Sequence, residues 1–160
     1  MILKVKKLTE TAKLPTRGSA LAAGLDLFAD VSKKVMIMPG ETVMIHTGIS
    51  IEIPEGYFGA IYARSGLATK RGLRPANCVG VIDSDYRGEI IVALHNDNLQ
   101  HNLCAETGEW SCFGAPESIE AGERIAQLVI QPCPEFEIEE VNELSGTVRG
   151  EGGFGSTGTR

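Results

Sequence analysis

Asn77-Cys78-Val79-Gly80-Val81-Ile82-Asp83-Ser84-Asp85-Tyr86-Arg87-Gly88 contains one apolar run, Val79 to Ile82, and a second, Ile90 to Leu94, follows it. Asp83, Ser84, Asp85 and Gly88 between them are turn residues, so the stretch predicts a β-hairpin. Its open end would carry groups of different chemistry. Asn77 offers both a donor and an acceptor. An Asp just past a buried strand can be aimed by the turn and used as a base. Tyr86 supplies a flat apolar face. The same composition suits an ordinary hairpin with polar tips, so its meaning depends on the rest of the chain.

The chain has 160 residues, which predicts one domain. A domain of that size buries roughly two-thirds of its unfolded surface and needs no disulfide or metal to hold it. Net charge is −6 and pI about 5.1, which argues against a nucleic-acid surface. An anionic ligand would need a local pocket of Arg and backbone N–H groups. The start, Met1 to Lys7, lacks a signal-peptide apolar run, and no stretch approaches a membrane span. Cys78, Cys104, Cys112 and Cys133 form no close pair; free thiols in a cytoplasmic protein are the simplest reading. The 19 glycines, frequent β-branched residues and lack of long helical periodicity predict short strands joined by tight turns.

Strands are expected over Ile2 to Leu8, Ala22 to Ala29, Val35 to Met38, Thr42 to Ile53 with a break at Gly48, Tyr57 to Ala63, Glu123 to Gln131 and Phe136 to Val141. Ser65 can cap one short helix that Gly72 stops. That helix start beside Arg64 reads either as a small anion site or as a connecting turn. Asn96 to Ser118 is polar and long for a loop in a compact domain. Its His101, Cys104 and Cys112 are poorly spaced for zinc, so it reads as a surface insertion, with Trp110 packing it onto the body. Gln127 lies in an apolar run, so if buried it must be hydrogen-bonded, either to neighbouring backbone or to a ligand. From Ser145 the Gly-rich tail suits a mobile end or a phosphate wrap. It is not a Walker A loop, because no Gly-Lys-Ser/Thr is present.

Five stretches stand in order: Ala23 to Leu27; Arg64-Ser65-Gly66; Asn77 to Gly88; Gly122 to Gln127; and Arg149 to Gly158. This series closely resembles the five motifs of the trimeric deoxyuridine triphosphatases (dUTPases), over nearly the whole chain. The third and fifth motifs are long and specific. The resemblance implies an all-β, jelly-roll-like distorted barrel with one short helix. It implies a homotrimer with a swapped C-terminal tail, in which each active site draws on all three chains. The body would span 1–144, with a surface insertion at about 97–118, and the lid 145–160. The implied reaction is Mg²⁺-dependent hydrolysis of dUTP to dUMP and pyrophosphate, which keeps uracil out of DNA and supplies dUMP for thymidylate synthesis. Two departures stand out: Ala63 occupies a position where the family usually has Pro, and the insertion is longer than the usual hairpin.

The resemblance also assigns roles. Asp83 would be the general base that activates water against the α-phosphorus. Asn77, with Val81, Ile82 and Ile91 around it, would read uracil, and Tyr86 would lie against the deoxyribose. Arg64, Ser65, Gly66 and Gln127 would contact phosphates. Arg149 would reach the terminal phosphate from the tail, and Phe154 would stack on the base beside Gly155 and Ser156. Mg²⁺ would be carried by phosphates and water with no direct protein ligand, Asp26 acting through water or bracing the hairpin. Asp85 would hold the turn or an inter-subunit contact. The expected partners are dUTP and two further copies of the chain, with no nucleic acid and no membrane. The dCTP deaminases share the fold and are the nearest rival. A non-catalytic binding protein on the same fold is the rival from another class.

Overall fold

The computed structural model describes residues 2–103 and 110–153. In chain order the elements begin with β1 (Lys4–Lys7), β2 (Thr16–Arg17), β3 (Leu25–Phe28), β4 (Val35–Ile37), β5 (Thr42–His46), β6 (Ile49–Glu52) and β7 (Tyr57–Ala63). A helix α1 (Ser65–Arg71) follows, then β8 (Leu73–Pro75), β9 (Gly80–Ile82), β10 (Ile91–Asn96), β11 (Gln100–Leu103), β12 (Trp110–Phe113), β13 (Glu117–Ile119) and β14 (Arg124–Pro132). The chain thus adopts the expected all-β fold with one short helix. No helix among the described residues is long and apolar enough to cross a membrane.

The strands are short because Gly and Pro interrupt the apolar runs. Gly48 sits between β5 and β6 at φ +65°, and a Cβ there would lie 2.3 Å from Asp30 Oδ2. Only glycine fits both the left-handed backbone and the space. The largest sheet runs β2-β3-β14-β7-β9, and a second runs β5-β10-β8, with antiparallel neighbours throughout. Their inward residues make one core. Leu27, Ile45, Ile49, Ile90, Leu94 and Leu128 are each 1% exposed or less, and burying a side chain of this size contributes about 1.5–3 kcal/mol.

Four expectations need correcting. The stretch around Asp83 is not a hairpin. β9 pairs with β7, through Ala60↔Val81, while β10 pairs with β5 and β8. The turn therefore crosses from one sheet to the other, because each strand finds a longer partner distant in sequence. Phe136 to Val141 is not a strand paired within its own chain; it is exposed, with Ile138 fully so. Ser65 does not cap α1. It is the first helical residue, Arg64 holds the cap position without a side-chain cap bond, and Gly72 ends the helix at φ +61° as expected. The segment read as one long loop contains β11 paired with β12, and its end enters β13, which pairs with β4. Gly114 allows the two stems of that hairpin to meet, since a Cβ there would sit 1.7 Å from the Asn98 carbonyl oxygen. Asn96, wholly buried, donates to the carbonyls of Ile37 and Ala115 at 3.0 Å each and ties the stems to β4. Cys104 lies outside the described residues, and with it the metal reading of the insertion.

Candidate active site

β9 is the last strand of its sheet, bonded to β7 on one side only. An edge strand presents a row of unpaired N–H and C=O groups. Beside that edge, between the two sheets, lies a cleft of about 340 Å³. Six residues singled out in the sequence line it together: Asn77, Val81, Ile82, Asp83, Tyr86 and Ile91. The absence of a side chain at Gly80 gives the Asn77 amide its room, since a Cβ there would stand 3.1 Å from Asn77 Nδ2. Asn77 and Asp83 are both exposed to the cleft's solvent.

Tyr86 is fixed from two directions. Its hydroxyl donates to the Glu89 carbonyl at 3.0 Å, and its ring lies over Gly88, where a Cβ would come within 2.3 Å of the hydroxyl. The backbone N–H of Tyr86 donates to the Asp83 carbonyl at 3.2 Å and closes the turn that aims both side chains. Arg87 turns back and donates to the carbonyls of Ser84 and Tyr86.

A second cluster forms around Asp26 on β3, which is 3% exposed. Arg64 Nε donates to its Oδ1 at 3.0 Å, and Arg124 Nη1 donates to its Oδ2 at 3.2 Å. Gln127 Nε2 lies 3.5 Å from Oδ1. Sheet pairing explains the meeting: Asp26 and Gln127 are cross-strand partners, and Tyr62, opposite Gln127 on the other side, is two residues before Arg64. Arg64 also donates to the Arg124 carbonyl at 3.3 Å. Next to it, Ser65 and Gly66 are exposed at the start of α1, with open space around Gly66. Asp26 therefore braces two guanidinium groups; its bonds do not run to the turn at residues 83–88. The helix is held at its far end by Arg71, which donates to Glu117 at 2.7 Å, to Glu123 at 2.5 Å and to the Ser118 carbonyl.

The two clusters are distinct within one chain. Arg64, Ser65, Gly66 and Gln127 are not among the residues lining the cleft. Arg149 stands apart from both, exposed, with its Nε donating to the Gly152 carbonyl at 2.8 Å. Phe154, Gly155 and Ser156 lie outside the described residues. Among the described residues no three His, Cys, Asp or Glu side chains converge on a point that could hold a metal ion. Sequence reasoning missed Arg124 as a partner of Asp26, and Met44 and Glu89 as cleft residues. Strand alternation would put Arg124 on the opposite face from Gln127, and only the register shift between Arg124 and Ala126 brings it to Asp26. Met44 and Glu89 carried no local signal.

The comparisons agree with one another. A family model described as dUTPase matches residues 10–104 and 114–158, leaving out 105–113 within the insertion. A deoxyuridine 5'-triphosphate nucleotidohydrolase of Hydrogenobaculum sp. is 48% identical over 160 residues, covering 100% of both chains. One from Oryza sativa subsp. japonica is 43% identical, covering 98% of this chain and 81% of its own. The solved structure of the Staphylococcus bacteriophage 80alpha dUTPase with dUPNHPP superposes with a TM-score of 0.83 at 35% identity, covering 98% of each chain.

Proposed function

The chain belongs to the dUTPase family, and from that premise we propose how its residues carry out the reaction. It hydrolyses dUTP to dUMP and pyrophosphate. The observation that carries the residue-level reading is the single cleft that gathers Asn77, Val81, Ile82, Asp83, Tyr86 and Ile91 against the free edge of β9.

Uracil presents acceptor, donor and acceptor along its pairing edge. The open edge of β9 and the Asn77 amide offer complementary groups, and a base with the wrong pattern would leave them unpaired. Val81, Ile82 and Ile91 give the base apolar contact. The pinned Tyr86 ring lies against the deoxyribose and leaves no room for a 2′-hydroxyl. Asp83, exposed at the end of β9, takes a proton from the water that attacks the α-phosphorus; positioned proton transfer typically contributes about 10²–10⁴-fold. Arg64 and Gln127, with Ser65 and Gly66 at the helix start, hold phosphate oxygens through charge-assisted bonds. Asp26 keeps Arg64 in place.

Mg²⁺ fits this donor set as an ion carried on the triphosphate. It prefers phosphate and water oxygens and seldom needs a protein cage, and both oxygens of Asp26 already accept from guanidinium groups. Asp26 would meet the ion only through water. The ion would neutralise phosphate charge. The tail, residues 145–160, acts as a lid over the body 1–144, with Arg149 on the terminal phosphate. Phe154 stacks on the base next to Gly155 and Ser156, a contact worth about 1–3 kcal/mol in nucleic-acid systems.

The working unit is a homotrimer whose sites combine the cleft of one copy with the arginine cluster and tail of others. Support comes from the separation of the two clusters in one chain. It comes also from the exposed arm at Pro134 to Val141, where Phe136 is 82% and Ile138 100% exposed. The net charge of −6 supports a protein without nucleic-acid partners, and the free thiols Cys78 and Cys133 suit the cytoplasm.

Product analysis by phosphorus NMR tests the reading, with dUTP, dCTP, TTP and UTP supplied separately with Mg²⁺. The expected result is dUMP and pyrophosphate from dUTP alone. Deoxyuridine products from dCTP would move the chain to the deaminase branch. Light scattering at the same concentration should give three times the chain mass.

A further inference from the structure

Glu89 has no role in the reaction as described, yet three separate bonds meet on it. Its carbonyl accepts from the Tyr86 hydroxyl at 3.0 Å. Its Oε1 accepts from the Gly48 N–H at 2.8 Å, and its Oε2 faces His46 Nδ1 at 2.8 Å. The side chain is only 23% exposed and lines the cleft. The residue after it is stapled to the same turn: Ile90 N–H donates to the Ile49 carbonyl at 2.8 Å, and the Thr47 hydroxyl donates to the Ile90 carbonyl at 2.5 Å.

The β5–β6 turn is a fixed anchor. Its own strands are each held in a sheet, β5 by β10 and β6 by β1. Behind Gly48 stand Asp30 and Thr9, with the Thr9 hydroxyl bonded to the Asp30 carboxylate and the Asp30 N–H donating to the His46 carbonyl at 2.8 Å. The Leu8 N–H donates to the Gly48 carbonyl at 2.7 Å. Glu89 thus connects a rigid turn on one side to the hydroxyl end of the Tyr86 ring on the other.

We propose that Glu89 is a positioning residue for sugar selection, its carboxylate clamping the Gly48 turn so that its carbonyl holds the Tyr86 ring where a 2′-hydroxyl would fall. The inference rests on the reading of Tyr86 given above. Side-chain reach, more than charge, is what the clamp requires. Gln has the length of Glu: its amide oxygen accepts from Gly48, while its NH₂ donates to His46 Nδ1 in the tautomer protonated on Nε2. Asp keeps the charge but is one methylene too short to hold both partners.

The test compares Glu89→Gln, Glu89→Asp and Tyr86→Ala by the ratio of kcat/KM for dUTP to that for UTP. Glu89→Asp should lose about ten-fold in that ratio, whereas Glu89→Gln stays within about three-fold of the parent. Both are conservative enough to fold, and a melting curve for each confirms it. The opposite order, with Asp like the parent and Gln impaired, would mean that Glu89 acts by charge and would overturn the proposal. Unchanged selectivity in a folded Asp variant would overturn it equally. Should Tyr86→Ala also leave selectivity untouched, the reading of Tyr86 falls and the inference with it. If Tyr86→Ala relaxes selectivity and Glu89→Asp does not, only the inference falls.

Discussion

Replacing Asp26 by Asn is the sharpest perturbation of the arginine cluster. The side chain keeps its size but loses the charge that two guanidinium groups share. Three donors now point at it, at 3.0 Å from Arg64, 3.2 Å from Arg124 and 3.5 Å from Gln127. An amide oxygen can still accept one of them, but its NH₂ group meets the other guanidinium donor to donor. Breaking a fully buried pair costs about 3–5 kcal/mol. Here the side chain of Asp26 is 4% exposed, that of Arg64 25% and that of Arg124 51%, so water compensates part of the loss. A hydrogen bond to a charged group is worth about 1.5–3 kcal/mol, which applies to Arg64. The Arg124 contact, half in solvent, adds about 0–1 kcal/mol. The sum is about 2–4 kcal/mol. For a domain of this length, each kcal/mol lowers Tm by about 2–4 °C, so the expected fall is about 4–16 °C. Calorimetry at one fixed protein concentration reads it, since self-association would make Tm concentration-dependent. Glu52→Gln, at the exposed Lys4–Glu52 pair, is the control and should shift Tm far less. A Tm for Asp26→Asn within about 1 °C of the parent would show that the carboxylate does not hold the arginines.

Asp83→Asn should lower turnover of dUTP by about 10²–10⁴-fold while calorimetric binding of a non-hydrolysable analogue stays within a few-fold; lost binding with normal turnover of bound substrate would remove Asp83 from the base role. Gly48→Ala should destabilise by about 1–3 kcal/mol, seen as a lower urea midpoint, because φ is +65° and its Cβ would meet Asp30 Oδ2 at 2.3 Å. Asp30 itself is held below the ordinary value of 3.8, chiefly by hydrogen bonds from the Thr11 and Thr9 side chains. The folded chain therefore keeps this carboxylate ionised to lower pH than the unfolded chain does. Its stabilisation is complete above the unfolded pKa and drains away as pH falls through the folded one. Carboxyl carbon NMR should show Asp30 titrating low, and Thr11→Ala should move it up and flatten the acid limb of stability; an unmoved titration would discount the hydroxyls.

What the sequence made legible was local. Tyr57 to Ala63 is strand β7 to the residue, because Pro54 to Gly56 and Arg64-Ser65-Gly66 punctuate both ends. Gly72 stops α1 through left-handed backbone at φ +61°, as its residue type predicts. Pairing was not legible. Val79 to Ile82 and Ile90 to Leu94 have the right character for a hairpin, but register is decided by which long strand offers the better apolar match. β7 and β5 won, and the turn became a bridge between sheets. Ser65 has the better capping side chain, yet Arg64 takes the cap position while its guanidinium bonds to Asp26 and the Arg124 carbonyl. Tertiary bonds outweighed a preference worth about 1 kcal/mol. Glu89 reaches Gly48, and Asn96 reaches Ile37, each more than 40 positions away. Residue type announces that such a group needs a partner, never which one.

The arm after β14 is where local and global reasoning part most clearly. Phe136, Ile138 and the glutamates around them alternate as a half-buried strand does, but among the described residues no strand pairs with them. Phe136, Ile138, Leu144 and Val148 are all at least 82% exposed. Burying each would contribute about 1.5–3 kcal/mol, so an arm left in water forgoes a large stabilisation. Elsewhere, β1 carries Lys4, Lys6 and Lys7 and pairs only with β6, leaving its outer edge open. An acidic arm without a partner among the described residues and a basic edge lacking one are complementary in both charge and hydrogen bonding. Supplied by different copies, they would close the sheet and carry the tail toward another chain's cleft. The same exchange would let a cleft in one copy meet an arginine cluster in another.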